Sequence, residues 1–344
     1  MRVMFEDTIE RFFSEKISQE LLRKYDDGSW ASELWAEIEE LGFNAAAVPE
    51  ALGGFGVSWG DLFPIVRALG YHSVPLPMGE TIFANWLLGQ LGEAPFDGPL
   101  TFSANSDLTI KNGLVSGTLG DVPWARHLTY VMAITSDETP KCVVLDISKA
   151  SNIDHKFNVA KEARDDLTFD AAQPTLAKHL PEHISSDILS LGGAMLRSAQ
   201  IAGAVKRALD LTATYTTERV QFGRPIMKFQ AIQQQVAVMA EQVASMQIAA
   251  EAAFYESANR LAELPIMSAK VCAGDAIEAC TSIAHAVHGA IGFTHEHSLH
   301  FTTRRLWSWR NEFGSQTFWA QNIGLSICKK RGTDLWSTLV SASL

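Results

Sequence analysis

Residues 218–226, Glu-Arg-Val-Gln-Phe-Gly-Arg-Pro-Ile, set a Gly-Arg-Pro turn between two helical stretches, with Lys228 just beyond it. Arg219, Arg224 and Lys228 gather three cations in a chain of formal net charge -11, beside Gly223, whose missing side chain lets a ligand approach backbone amides. Two readings stand together: a diphosphate-binding turn, and a helix end whose basic residues complement the helix dipole. Residues 285–300 hold a second unusual group, His285, His288, His295, His297 and His300 with Glu296. Neither HExxH nor a zinc-type spacing occurs, so no metal is expected and these read as hydrogen-bonding histidines near helix ends. A nucleophile elbow, a Ser-x-x-Lys and a P-loop are missing, which leaves hydrolase and NTPase chemistry unsupported. Gly54, Gly56 and Gly60 lack the spacing and the preceding strand of a dinucleotide loop, so residues 48–56 read as a turn between helices.

These loops need helices to carry them. Residues 6–91 show helical spacing, as in Leu34, Trp35, Ile38 and Leu41. After Pro95 the texture changes: residues 108–111 and 114–116 flank Asn112-Gly113, a strong hairpin signal, and β-rich runs follow at 128–135 and 142–147. From about residue 184 the chain is helical again. One helix is expected over 186–217, and Ile232, Val236, Met239, Val243 and Met246 form the packing seam of the next. A third opens at Pro265, carries Val271, Ile277, Ile283 and Val287 and stops at Gly289; a fourth follows His297. The expected fold is mainly α with a small β domain: an N-terminal helical domain (1–94), a middle antiparallel β-barrel (95–181) and a C-terminal four-helix bundle (182–344).

The composition sets outer bounds. With 344 residues, 47% hydrophobic and 19% charged, the chain has apolar material for several cores and too little charge for disorder. The acidic balance argues against nucleic acid or an anionic lipid surface as a partner, so an anionic ligand must be held by local cations. Four cysteines without a CxxC pair, and a start lacking a signal-peptide pattern, point to a reduced, cytoplasmic protein. The longest apolar stretch, residues 188–205, is interrupted by Arg197 and by glycines, so no membrane span is expected.

The residues now carry a resemblance. Arg219, Gln221, Phe222, Gly223, Pro225 and Gln230, together with 288–294 (His-Gly-Ala-Ile-Gly-Phe-Thr) leading to Arg304-Arg305, resemble the C-terminal signature of acyl-CoA dehydrogenases. Residues 34–42, Val48-Pro49-Glu50 and 53–56 (Gly-Gly-Phe-Gly) are similar to that family's first domain. The resemblance spans essentially the whole chain. It implies a flavoprotein that uses FAD to dehydrogenate an acyl-CoA to a trans-2-enoyl-CoA and passes electrons to an electron-transferring flavoprotein. It also implies a homodimer or homotetramer with FAD across a subunit interface.

By motif position Arg219, Gln221, Phe222 and Gly223 meet the FAD of a neighbouring subunit, with Gln230 also near the cofactor. Gly289 and Ala290 contact its adenosine diphosphate, and Ser315 and Gln316 follow the glycine where the chain crosses the flavin's other side. Trp124, within Val122-Pro123-Trp124-Ala125-Arg126, reads either as a flavin-stacking ring or as a buried structural one. The family's base commonly precedes a Gly-Thr or Gly-Ser directly. Here Phe313 precedes Gly314-Ser315 and the carboxylate stands one place earlier, at Glu312, the candidate catalytic residue. A second family pattern would put the base near Gly193, where no carboxylate stands. The family's flavin loop is reduced to residues 101–107, and Ala286 replaces a usual glutamine. The alternative is therefore a non-catalytic partner subunit of a hetero-oligomeric dehydrogenase. The aromatic residues Trp307, Trp309, Phe313, Phe318 and Trp319 read as a cavity wall or as anchors of the last helix.

Overall fold

The helical periodicity of the first ninety residues is realised, in a computed structural model that describes residues 2–257, 260–329 and 336–337, as five helices. They are α1 (Arg2–Lys16), α2 (Gln19–Lys24), α3 (Ser32–Glu40), α4 (Trp59–Tyr71) and α5 (Met78–Gln90). The Pro- and Gly-rich stretch between α3 and α4 forms turns and a short 3-10 segment, as its composition demands. Nine strands follow: β1 (Leu100–Phe102), β2 (Asn105–Ser106), β3 (Thr109–Lys111), β4 (Leu114–Pro123), β5 (Tyr130–Ile134), β6 (Lys141–Asp146), β7 (Asn152–Asp154), β8 (Arg164–Ala172) and β9 (Leu176–His179). Asn112 and Gly113 both take positive φ, 51° and 82°, and close the β3–β4 hairpin in register Lys111↔Leu114.

The strands form two sheets. One runs β1-β5-β6-β9, with β1 and β5 parallel and the other pairs antiparallel; the other runs β2-β4-β8-β7 with β3 on β4. The expected barrel is thus a pair of sheets sharing one core, in which Val115 and Leu119 of β4 meet Val131, Val143, Leu145, Leu167 and Phe169.

The helical C-terminal part comprises α6 (Ile188–Glu218), a two-residue hairpin β10 (Val220–Gln221) and β11 (Arg224–Pro225), α7 (Gln230–Glu256), α8 (Glu263–His288), α9 (Leu299–Trp309) and α10 (Gln316–Lys329). Met239, Val243 and Met246 are buried on α7, the seam read from spacing. The fourth expected helix is not continuous. It is cut between α9 and α10 at residues 310–315, where Phe313 (φ 54°) and Gly314 (φ 96°) enter the left-handed region. A further correction concerns α6, which among the described residues is long and apolar enough to cross a membrane by length and composition. Its most apolar window is 94% buried within the protein, the setting of a core helix.

Packing separates two units. The first is Met1–Ser14, Phe63–Ser73 and Ala194–Leu344; the second is Glu15–Leu62 and Val74–Gly193. Within the first, α4 and α6 cross backbone to backbone. A Cβ at Gly203 would stand 2.0 Å from the Arg67 carbonyl oxygen, and one at Gly70 would stand 1.8 Å from that of Gln200. Each helix therefore supplies a glycine where the other's main chain passes. Backbone cannot give way as a flexible side chain can, so Gly203→Ala is expected to cost about 3 kcal/mol of stability. Urea unfolding of the variant against the parent chain checks this.

Candidate active site

The break between α9 and α10 is built from residues that answer each other. Ser315 Oγ accepts from the Phe318 amide at 3.2 Å and starts α10. Trp319 Nε1 donates to the Phe313 carbonyl at 3.0 Å, and a Cβ on Gly314 would lie 2.5 Å from that indole nitrogen. A regular helix would have turned Glu312 about 100° from the place of its neighbour. Here the chain has left the helix, and Glu312 Oε2 instead accepts from Arg197 Nε at 2.7 Å.

Arg197, on α6, is 1% exposed. Its guanidinium also donates to the Gln200 side-chain oxygen and lies 5.3 Å from the Phe313 ring centre and 5.7 Å from that of Trp309. These two rings thus line the arginine, which accounts for two of the five aromatic residues singled out from sequence. Lys270, on α8, completes the group. Its Nζ donates to the carbonyls of Glu312 (2.9 Å), Trp309 (3.2 Å) and Arg310 (3.3 Å). Burial pushes the Lys270 ammonium down to about 7, Glu312 opposing the shift and Arg197 adding to it.

Neither Arg197 nor Lys270 was singled out from sequence as a site residue. Both sit in buried seams with three-and-four spacing, Ala194-Arg197-Ile201-Ala204 on α6 and Ile266-Lys270-Ala273-Ile277 on α8. A cation inside an otherwise apolar seam was the available signal.

The hairpin after α6 has a different character. Phe222 (φ 52°) and Gly223 (φ 80°) form its two-residue tip, and Phe222 is 92% exposed. Arg219, Gln221, Gly223, Arg224 and Gln230 are exposed as well, and the Arg224 guanidinium lies 4.3 Å from the Phe229 ring centre. At the end of α8, Gly289 (φ 63°) and Ala290 are exposed beside the buried His288. His288 Nδ1 donates to the Ala284 carbonyl at 2.7 Å, its ring stacks on Tyr215 at 4.4 Å, and its Nε2 is buried without a hydrogen-bond partner. His285 bonds Thr303 Oγ1 at 3.0 Å and stacks on Phe293 and Trp307.

The structure brings Glu312 and Ser315 together in the break. Gln316, beside them, donates to Asp275 Oδ1 at 2.8 Å, over Gly274, where a side chain would collide with it. In the second unit Trp124 is 3% exposed, its ring 6.2 Å from Trp30 and 6.0 Å from His127. This enclosed position accords with the structural reading of Trp124. The shortened loop lines a cleft of about 330 Å³ with Ser103 and Ser106, together with Thr135, Asp137 and Ser190.

Comparison with known proteins agrees with this architecture. Residues 2–94 match the acyl-CoA dehydrogenase N-terminal domain and residues 192–316 the C-terminal domain. The chain belongs to the acyl-CoA dehydrogenase family, whose members are FAD-dependent oxidoreductases. It is 27% identical over 312 residues to the acyl-CoA dehydrogenase IpdE2 of Mycolicibacterium smegmatis, covering 88% of this chain and 91% of that one. Among solved structures, the ChsE4-ChsE5 complex from Mycobacterium tuberculosis superposes with a TM-score of 0.85 at 19% identity, over 95% of this chain and 97% of that one. Butyryl-CoA dehydrogenase from Megasphaera elsdenii does so with a TM-score of 0.85 at 16% identity, over 95% and 98%. At these identities the two structures speak for the fold.

The residues present fit FAD. Arg219, Arg224 and Lys228 suit a diphosphate, and the unpartnered Nε2 of His288 adjoins the exposed Gly289 and Ala290. Burial first, then the neighbouring His297 and His285, hold His288 down to about 4, so it is a neutral ring at physiological pH. The unfolded chain takes up this proton near pH 6.5, the folded chain only near 4. This part of the stability is therefore complete above pH 6.5 and is lost as pH falls toward 4. His288→Gln is expected to flatten the pH dependence of the urea midpoint across that window.

Proposed function

We propose that this chain removes hydrogens from Cα and Cβ of an acyl-CoA thioester, leaving a trans-2-enoyl-CoA, with Glu312 as the base and an electron-transferring flavoprotein as the final electron acceptor. The observation that carries the reading is the helix break that takes Glu312 out of α-helical geometry and sets its carboxylate against Arg197. The α-proton of a thioester is weakly acidic, so its removal needs a carboxylate that is ionised, shielded from water and held in place. Arg197 meets the first and third requirements. It favours the charged form and holds the carboxylate in place. As the proton arrives, Glu312 loses its charge and the arginine loses a partner. Gln200 and the two flanking rings still support the guanidinium, which limits the cost.

The acceptor for the β-hydride is the chemistry a bound FAD supplies. Arg219, Gln221, Phe222, Gly223 and Gln230 would hold it from a neighbouring copy, and Gly289 and Ala290 would meet its diphosphate end. Ser315 and Gln316 would stand beside the flavin while keeping their internal bonds. An exposed hairpin tip supports an assembly of two or four chains, because a phenylalanine 92% exposed is a poor end for a monomer's loop.

The test is spectroscopic. The purified chain, reconstituted with FAD, is expected to be yellow and to bleach when a panel of straight, branched and ring-bearing acyl-CoA thioesters is added without oxygen. Glu312→Gln should slow bleaching by about 100-fold or more while leaving the oxidised spectrum unchanged. Bleaching of the variant at the parent rate removes Glu312 from the mechanism. A chain that stays colourless with FAD removes autonomous catalysis.

A further inference from the structure

Lys270 occupies a core position on α8 where packing calls for an apolar residue: Ile266, Ala273, Ile277, Cys280 and Ala284, its neighbours along the seam, are all buried. Burying an ammonium is costly and is tolerated when each of its protons is answered. An ammonium has three donors and no acceptor, and three oxygens meet it, the carbonyls of Trp309, Arg310 and Glu312. All three belong to the end of α9 and the break beyond it, where main-chain carbonyls lose their intrahelical partners. A helix end is ordinarily satisfied by its own next residues or by water. Here the donor comes from another helix, thirty-nine residues or more away in sequence, and reaches past the end of α9 to the carbonyl of Glu312 itself.

The remaining contacts of the break hold its other side. Trp319 takes the Phe313 carbonyl and Ser315 starts α10, while Arg197 fixes the Glu312 carboxylate. Lys270 thus ties the main chain at 309, 310 and 312 to α8, and Arg197 holds the carboxylate. We propose that Lys270 is a positioning residue for proton abstraction: by binding the three carbonyls it keeps the helix broken before Phe313, and so fixes the place from which Glu312 works. This rests on the reading of Glu312 as the base. It goes beyond that reading by assigning the base's placement to a side chain on a different helix.

The experiment compares Lys270→Met, which keeps the stem's bulk and removes the three donors, with Glu312→Gln and the parent chain. Amide hydrogen exchange is measured first, without substrate. Exchange at residues 311–314 is expected to quicken roughly tenfold in Lys270→Met, with α8 and α9 retaining their protection. In steady-state assays with the acyl-CoA that bleaches the parent enzyme fastest, kcat should fall about 100-fold and KM should change less than about threefold. Lys270→Gln, with two donors, should lie between Met and the parent in both measurements. Parent-like exchange at 311–314, or kcat within about twofold of the parent, overturns the proposal. So does global unfolding of both Lys270 variants, which would assign the residue to general stability. If Glu312→Gln turns over normally, the base is lost and the role of Lys270 with it. If Glu312→Gln is inactive while Lys270→Met keeps its kcat, the Lys270 assignment alone falls.

Discussion

Two buried cations meet at one glutamate in the first unit, Arg197 at its carboxylate and Lys270 at its main-chain carbonyl. Arg197 and Lys270 are each 1% exposed, and Glu312 is the acid set between them in the hydrogen-bond network. An interior cannot hold uncompensated charge cheaply, so the excess must be dispersed. The guanidinium spreads its charge over a carboxylate, an amide oxygen and two ring faces. The ammonium meets three carbonyl dipoles, and burial lowers its proton affinity to about 7, so that it gives up its charge far more readily than an exposed lysine. Neither arrangement works unless the main chain leaves the helix at residue 310, because a continued helix would turn those carbonyls into its own ladder. Charge balance and backbone path are the same constraint.

That constraint reaches into the framework through α6. Arg197 and Gln200 lie one turn apart, and the Gln200 carbonyl oxygen is the atom that Gly70 of α4 lets approach. Gly203 repeats the arrangement one turn further on against Arg67. A helix seated by main-chain contact at two successive turns has little freedom to slide or rotate, since any shift is opposed by backbone rather than by side chains that could adopt another rotamer. The arginine that orients Glu312 is thus held by glycines that touch neither of them. Arg67 is in turn fixed by Glu6 and Glu10 of α1, at 3.1 and 2.9 Å, so the first helix contributes to the placement of α4.

Much of this fold was legible in the sequence because periodicity reports burial directly. The order of helices, strands and helices, the Asn112-Gly113 hairpin and the seam of α7 all follow from spacing and turn chemistry. The helix break was less visible. Glycine at 314 allows a positive φ, but Phe313 also adopts one, and nothing local to Phe313 demands it. The cause is remote, in the bonds from Lys270 and Trp319. Of the α8 positions chosen from sequence, Val271, Ile277, Ile283 and Val287, only Ile277 lies on the buried seam, which follows the spacing through the charged Lys270 rather than hydrophobicity alone. Trp124 left two readings open in the sequence, a flavin-stacking ring or a buried structural one, because the rings it packs with include Trp30, distant in sequence.

The acidic composition gains a more specific sense from these placements. Cations that are buried, Arg197 and Lys270, are tied to carboxylate, amide and carbonyl oxygens, while Arg219 and Arg224 stand on an exposed hairpin. An anion arriving from outside meets the second pair, because the first is spent on oxygens of the chain itself. His288 supports the same division. Neutral and buried, it adds no charge beside Gly289 but presents an unpartnered ring nitrogen there. A diphosphate recognised at this end would be held by exposed arginines, with its charge kept apart from the carboxylate proposed to receive a proton. Were Arg197 exposed and free to bind phosphate, it would be competed away from Glu312 and the base would lose its orientation. Burial of one set of cations and exposure of the other would therefore let a chain of net charge -11 bind an anion and keep a placed carboxylate at once.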